Sequence, residues 1–161
     1  MLVAVCGPNE ATVEESMVAE RLGELLARAG VTVVCGGRGG VMAAVCRGAK
    51  RGGGATIGIL PGTNPREANE WVDYPICTGL GEARNAVVVA SGQVVIAIGG
   101  GLGTLSEIAL ALKLGRPVIT LHSWPLDPAL LARANARIEE ATSPDEAARR
   151  ALELLRMAYP N

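Results

Sequence analysis

The chain has 161 residues, 49% of them hydrophobic, and a formal net charge of −1 at pH 7. That much apolar material can bury a core and excludes a disordered chain. A near-neutral balance without a basic block excludes a nucleic-acid surface, which needs clustered positive charge. No apolar run reaches the ~18 residues of a membrane span. Met1 runs into "LVAVC" and then Gly-Pro, too short a stretch for an export signal, so a cytoplasmic protein is expected. With two Trp, two Tyr and no Phe, the core must be built from Val, Ile, Leu and Ala. All the basic residues except Lys50 and Lys113 are arginine, a side chain suited to bidentate phosphate contacts.

Leu2–Cys6 reads as a strand, followed by a turn at Gly7-Pro8-Asn9. Thr12-x-x-Glu15 is a capping box, and Val18, Leu22, Leu25 and Leu26 recur at helical spacing until Gly30. Val31–Cys35 is a second strand, then "GGRGG", then a helix from about Val41 to Lys50 that ends in glycines. Ala55–Leu60 is a third strand, leading into the polar loop "PGTNPREANEW", and Tyr74–Cys77 a short fourth. "GLGEARNAVVVASG" is read as a helix, because a strand there would adjoin the next strand, Val94–Ile98, across only "SGQ". A helix runs to about Leu114, followed by a Gly-Arg-Pro turn and a strand at Val118–Leu121. A helix near Pro128–Ala136 and a weak strand at Arg137–Ala141 come next. Ser143-Pro144-Asp145-Glu146 then opens the last helix with a cap, a first-turn proline and a box glutamate.

Strands alternating with helices predict βαβ units with right-handed crossovers. The expected fold is α/β: a single doubly wound, Rossmann-like domain over residues 1–161, its mainly parallel sheet of six to seven strands covered on both faces. Ligands in such sheets bind at the carboxyl ends of the strands, where the strand order reverses. Cys6, Cys35, Cys46 and Cys77 form no CxxC pair and are expected to be reduced, buried and hydrophobic in role. One histidine, His122, and no acidic cluster predict no metal site, and His122 itself is read as solvent-facing or hydrogen-bonded.

Three strand ends carry glycine-rich turns: "CGPNEAT", "CGGRGGVM" and "IGGGLGTLSE". Glycine lets backbone N–H groups approach a ligand, and a helix starting just after adds bare amides and a positive dipole end. Together they predict an anion site, with phosphate as the usual occupant. Candidate ligand-binding residues in the first two turns are Gly7, Gly36, Gly37, Arg38, Gly39 and Met42. "GGGLGT" fits GxGxxG only loosely, and no Walker lysine exists, so an ordinary dinucleotide-binding dehydrogenase is disfavoured. Thr104-x-x-Glu107 has capping-box spacing, and that is the first reading of Glu107. Arg84, early in the preceding helix, could balance a carboxylate placed in the crevice; otherwise it is a surface arginine.

"GGGLGTLSE" resembles the PGGxGTxxE motif of the LOG family, the phosphoribohydrolases once labelled lysine decarboxylases. "CGGRGGVMAAVCRGAKRGGGATIGILPG" resembles that family's GGGxxGLM segment, and "EARN" falls where it carries a helical arginine. The resemblance covers roughly residues 2–121 and implies a phosphate seat on Gly100, Gly101, Gly103 and Thr104, with Arg84 and Glu107 as the catalytic pair. Departures such as Gly99 in place of the motif's proline, Cys35 at the first glycine of the other motif and Asn85 after the arginine are closer to a sister branch that includes the molybdenum cofactor carriers. Two functions are therefore expected in competition. One is a carrier of a small phosphorylated ligand, AMP-like or the molybdenum cofactor, with no cofactor required for catalysis. The other is a nucleoside 5′-monophosphate phosphoribohydrolase. Lysine decarboxylation finds no support, since neither Lys50 nor Lys113 is placed to form a Schiff base. The apolar helix near Ala86–Ala90 and the resemblance both predict a homo-oligomer, a dimer or tetramer, with no nucleic-acid or membrane partner.

Overall fold

A computed structural model describes residues 1–159. Seven strands form one sheet in which every neighbouring pair is parallel: β1 (Leu2–Cys6), β2 (Thr32–Cys35), β3 (Thr56–Leu60), β4 (Tyr74–Cys77), β5 (Val94–Ile98), β6 (Val118–Leu121) and β7 (Ile138–Ala141). Their order is β4-β3-β2-β1-β5-β6-β7. The chain winds outward from β1 in one direction, then crosses back to β5 and winds outward in the other. The order thus reverses between β1 and β5, and this is the doubly wound α/β arrangement the alternation predicts.

Six α-helices cover the sheet: α1 (Val13–Arg28), α2 (Val41–Arg51), α3 (Arg84–Ser91), α4 (Leu102–Lys113), α5 (Pro128–Arg133) and α6 (Pro144–Ala158). Alternating strand residues feed two cores. Val3 and Val5 of β1, with Val94, Ile96 and Ile98 of β5, face α1, α2 and α6. Ala4 and Cys6, with Val95 and Ala97, face α3 and α4. The central strands are therefore buried on both faces, which is why they read as unbroken apolar runs. On the first face α1 and α2 approach backbone to backbone. A Cβ on Gly23 would lie 2.1 Å from the Val45 carbonyl oxygen, and one on Gly48 would lie 1.9 Å from that of Glu20.

Several expectations are corrected. β2, β3 and β7 each begin one residue later than read, at Thr32, Thr56 and Ile138. α3 begins only at Arg84, after a single 3-10 turn at Gly81–Ala83. α5 stops at Arg133, and Asn135 follows with φ +50°, a left-handed conformation that ends a helix. Cys6, Cys35 and Cys46 are buried thiols, but Cys77 is exposed, because β4 is the edge strand and all four of its residues face solvent. The apolar face of α3 is covered from within the chain at Val88 and Val89, by the sheet and α4, whereas Ala90 is exposed. Among the described residues no helix is long and apolar enough to cross a membrane, and no group of three or more His, Cys, Asp or Glu could hold a metal ion.

Candidate functional site

At the carboxyl edge of the sheet, where the order reverses, a cavity of about 370 Å³ opens between the end of β1, the β2–α2 turn, the start of α3 and the start of α4. That volume lies in the range of small-ligand sites. Nine of the residues singled out from the sequence line it: Gly7, Gly36, Arg38, Met42, Arg84, Gly101, Gly103, Thr104 and Glu107. Gly37, Gly39 and Gly100 stand behind it. Gly37 packs on the Gly58 backbone, the Gly39 amide donates to Asn9 Oδ1 at 3.0 Å, and Gly100 lies beside Trp124. Val5, Cys6, Pro8, Asn9, Glu82 and Asn85 complete the lining.

The start of α4 forms one wall. Its N-cap is Gly101, which has no side chain to cap with. The first helical hydrogen bond runs from the Leu105 amide to the Gly101 carbonyl at 2.9 Å, so the amides of Leu102, Gly103 and Thr104 precede it and have no helical acceptor. Thr104 is therefore not an N-cap, and the capping-box reading of Thr104-x-x-Glu107 is wrong. The helix begins two residues before Thr104, which puts Glu107 inside it rather than at its mouth. Thr104 is 2% exposed, and its hydroxyl oxygen has no hydrogen-bond partner. The Asn85 amide donates to Ser106 Oγ at 3.3 Å, and that hydroxyl donates to the Gly103 carbonyl at 2.7 Å, tying α3 to the first turns of α4.

Arg84 faces this wall. It is buried, at 9% exposure, where a surface arginine was the plain alternative, and its Nε has no partner. Its guanidinium lies over Gly36: a Cβ there would sit 2.0 Å from Nη1 and 2.6 Å from the sulfur of Met42. Only glycine leaves that space open. No carboxylate comes within ion-pair distance of Arg84 among the described residues, so its buried guanidinium makes no direct ion pair, although the Glu107 carboxyl is near enough to feel its charge. Such a group is costly to bury.

Glu107 is 6% exposed. Burial pushes its carboxyl up to about 7; the Arg84 charge and a hydrogen bond with the Cys6 thiol pull it part of the way back, and the Glu82 charge raises it further. The Cys6 thiol is pushed well above its ordinary value, chiefly by burial and then by the Glu107 charge, so it sits in the cavity floor as a neutral SH. Cys6 and Asn85 stand within the sequence motifs but are not assigned to the site by them, and the sequence offered no local sign of Trp124; they reach the site through sheet register, helix packing and a loop that returns from β6.

Fold and site together define a Rossmann-like protein of the LOG-like superfamily, with a glycine-started helix at the switch point and an arginine opposite it. The chain belongs to the SLOG cluster4 family, whose model matches residues 1–151. It is similar to the molybdenum cofactor binding protein of the phototrophic bacterium Rippkaea orientalis, at 42% identity over 96% of each chain with a TM-score of 0.89. It is also similar to the molybdenum cofactor carrier protein of Chlamydomonas reinhardtii, at 36% identity over 96% of this chain and 98% of that one, with a TM-score of 0.86. A more distant likeness joins it to a probable cytokinin riboside 5′-monophosphate phosphoribohydrolase of Oryza sativa, 35% identical over 57% of this chain and 39% of that protein's length.

Proposed function

We propose that the protein is a cytoplasmic carrier that binds a small phosphorylated ligand of the nucleotide or molybdopterin type, with the phosphoryl group at the start of α4. The observation that carries this reading is a set of polar groups left unpaired at the start of α4 and around the cavity beside it. The Leu102, Gly103 and Thr104 amides lack helical acceptors, and the Thr104 hydroxyl and Arg84 Nε lack any partner. A phosphoryl group supplies acceptors for the open amides, and the helix dipole and the Arg84 guanidinium favour its charge. Similarity to a molybdenum cofactor binding protein and to a molybdenum cofactor carrier protein supports a cargo of that kind. Arg38 and Met42 on the β2–α2 side would face the rest of the cargo. The same reading takes the protein as a homo-oligomer, dimer or tetramer, joined along α3 and α4, where Leu102 is 79% exposed.

A specific observation favours the hydrolase as second reading: Glu107 lies in the cavity beside Arg84 with a carboxyl poised near 7. Loss of a base from ribose 5′-phosphate builds positive charge on the sugar ring, which a fixed carboxylate stabilises. One assay separates the two. Purified protein incubated with AMP and with related monophosphates is expected to retain them without releasing free base. Release of adenine, abolished by Glu107→Gln with binding intact, would replace the carrier with the hydrolase. Sedimentation at micromolar concentration tests the oligomer.

A further inference from the structure

We propose that Trp124 is a positioning residue that clamps the Gly101 peptide, so that the amides of the first turn of α4 face the cavity. This rests on the reading that a phosphoryl group binds there. Trp124 does not line the cavity. Its indole Nε1–H donates to the Gly101 carbonyl at 3.0 Å. The same carbonyl accepts the Leu105 amide at 2.9 Å, so both its lone pairs are engaged. In a trans peptide the carbonyl and the following N–H point in opposite directions. Holding the Gly101 carbonyl along α4 therefore aims the Leu102 N–H out of the helix mouth.

A clamp is needed because this turn cannot hold itself. Gly99, Gly100 and Gly101 are consecutive, and a run without side chains has several peptide orientations of similar energy. No side chain caps the helix. The clamp comes from a different strand. After β6 the chain turns at His122, whose φ of +49° is left-handed and unusual for a residue with a Cβ. That turn carries Trp124 back over the β5–α4 junction, where its ring packs against the apolar cluster under α3 and α4. The indole nitrogen lies 3.6 Å from where a Gly100 Cβ would stand, so the ring also covers the turn from outside.

The test compares three proteins by calorimetric titration with inorganic phosphate and with AMP. Trp124→Phe keeps a ring and deletes the N–H; it is expected to weaken both ligands about three- to tenfold, the worth of one neutral hydrogen bond. Trp124→His returns an N–H at nearly the same distance from Cβ and is expected to recover most of the loss. A role in stability alone would not produce that recovery, and the melting temperatures of the two ligand-free variants are expected to agree within about 3 °C. Should the Phe variant fail to fold, Trp124→Tyr, larger and likewise without a donor there, takes its place. Wild-type affinity in the Phe or Tyr variant, or equal weakening in Phe and His, overturns the clamp. If wild-type protein binds neither probe at millimolar concentration, the phosphoryl reading itself fails and the clamp falls with it, a result visible before any variant is made.

Discussion

The same four-residue pattern, Thr-x-x-Glu, opens both α1 and α4 and does opposite things. At α1 Thr12 is the N-cap. Its hydroxyl accepts the Glu15 amide at 3.1 Å, and the Glu15 carboxylate accepts the Thr12 amide at 2.8 Å. The helix mouth is closed by its own side chains. At α4 the N-cap is Gly101, so Thr104 falls in the first turn of the helix and Glu107 in the second. Both face a cavity, and the mouth stays open. The register of the helix relative to the motif decides the outcome, and a run of glycines sets that register. A capped start stabilises the fold; an uncapped one keeps its donors for a ligand.

The largest effect should come from Glu107, and it tests what burying that carboxylate behind the open mouth costs in stability. Its carboxyl is raised to about 7 in the folded chain, above the ordinary 4.5. Below pH 4.5 both states hold the proton and nothing is lost. Between 4.5 and 7 the unfolded chain releases it first, so stability falls as pH rises, and above 7 the full cost is present. Glu107→Gln should therefore stabilise the protein at pH 8 by on the order of 3 kcal/mol, a gain that vanishes below pH 4.5. Urea unfolding across that range measures it, and an equal gain at both ends would refute the burial argument.

Next comes the cation opposite. Arg84→Ala is expected to weaken AMP binding by about ten- to a hundredfold, as for a lost hydrogen bond to a charged group. Gly36→Ala should give a loss of similar size by displacing the guanidinium, since its Cβ would lie 2.0 Å from Nη1. In the double variant the two losses should not add, because one contact underlies both. Full additivity in calorimetric titration would break the link. The smallest effects contrast the two threonines directly. Thr12→Ala should cost about 1 kcal/mol of stability and leave AMP affinity unchanged. Thr104→Ala should leave stability unchanged and weaken AMP about three- to tenfold. If the two variants behave alike, the distinction between closed and open mouths is wrong.

Much of the fold could be read from the sequence, because its strands are buried on both faces and its turns are marked by glycine. Hence β1, β5 and β6 have the bounds expected from their apolar runs, and the exposed edge strand β4 also has its expected bounds. The α1 cap was legible because it is purely local. The α4 start was misread for the same reason: Thr104-x-x-Glu107 satisfies a local rule, and only packing shows that the helix begins earlier. Arg84 could be picked out by its place before the main motif, but its burial depends on Gly36, 48 positions away in the chain. Cys6 reaches the cavity by the pleat of β1, and Trp124 reaches its place over α4 by the turn at His122, which no local pattern marks.

The glycine contact between α1 and α2 has a consequence for mutational tolerance. Gly23 and Gly48 leave those backbones touching, with no flexible atoms between them to absorb a change. Any added carbon there must lever α2 away from α1. The start of α2 carries Met42, whose sulfur abuts Gly36 beneath the Arg84 guanidinium. A lesion between two packed helices would thus travel along one stiff rod to the binding crevice, making two unremarkable glycines remote determinants of what the protein can hold.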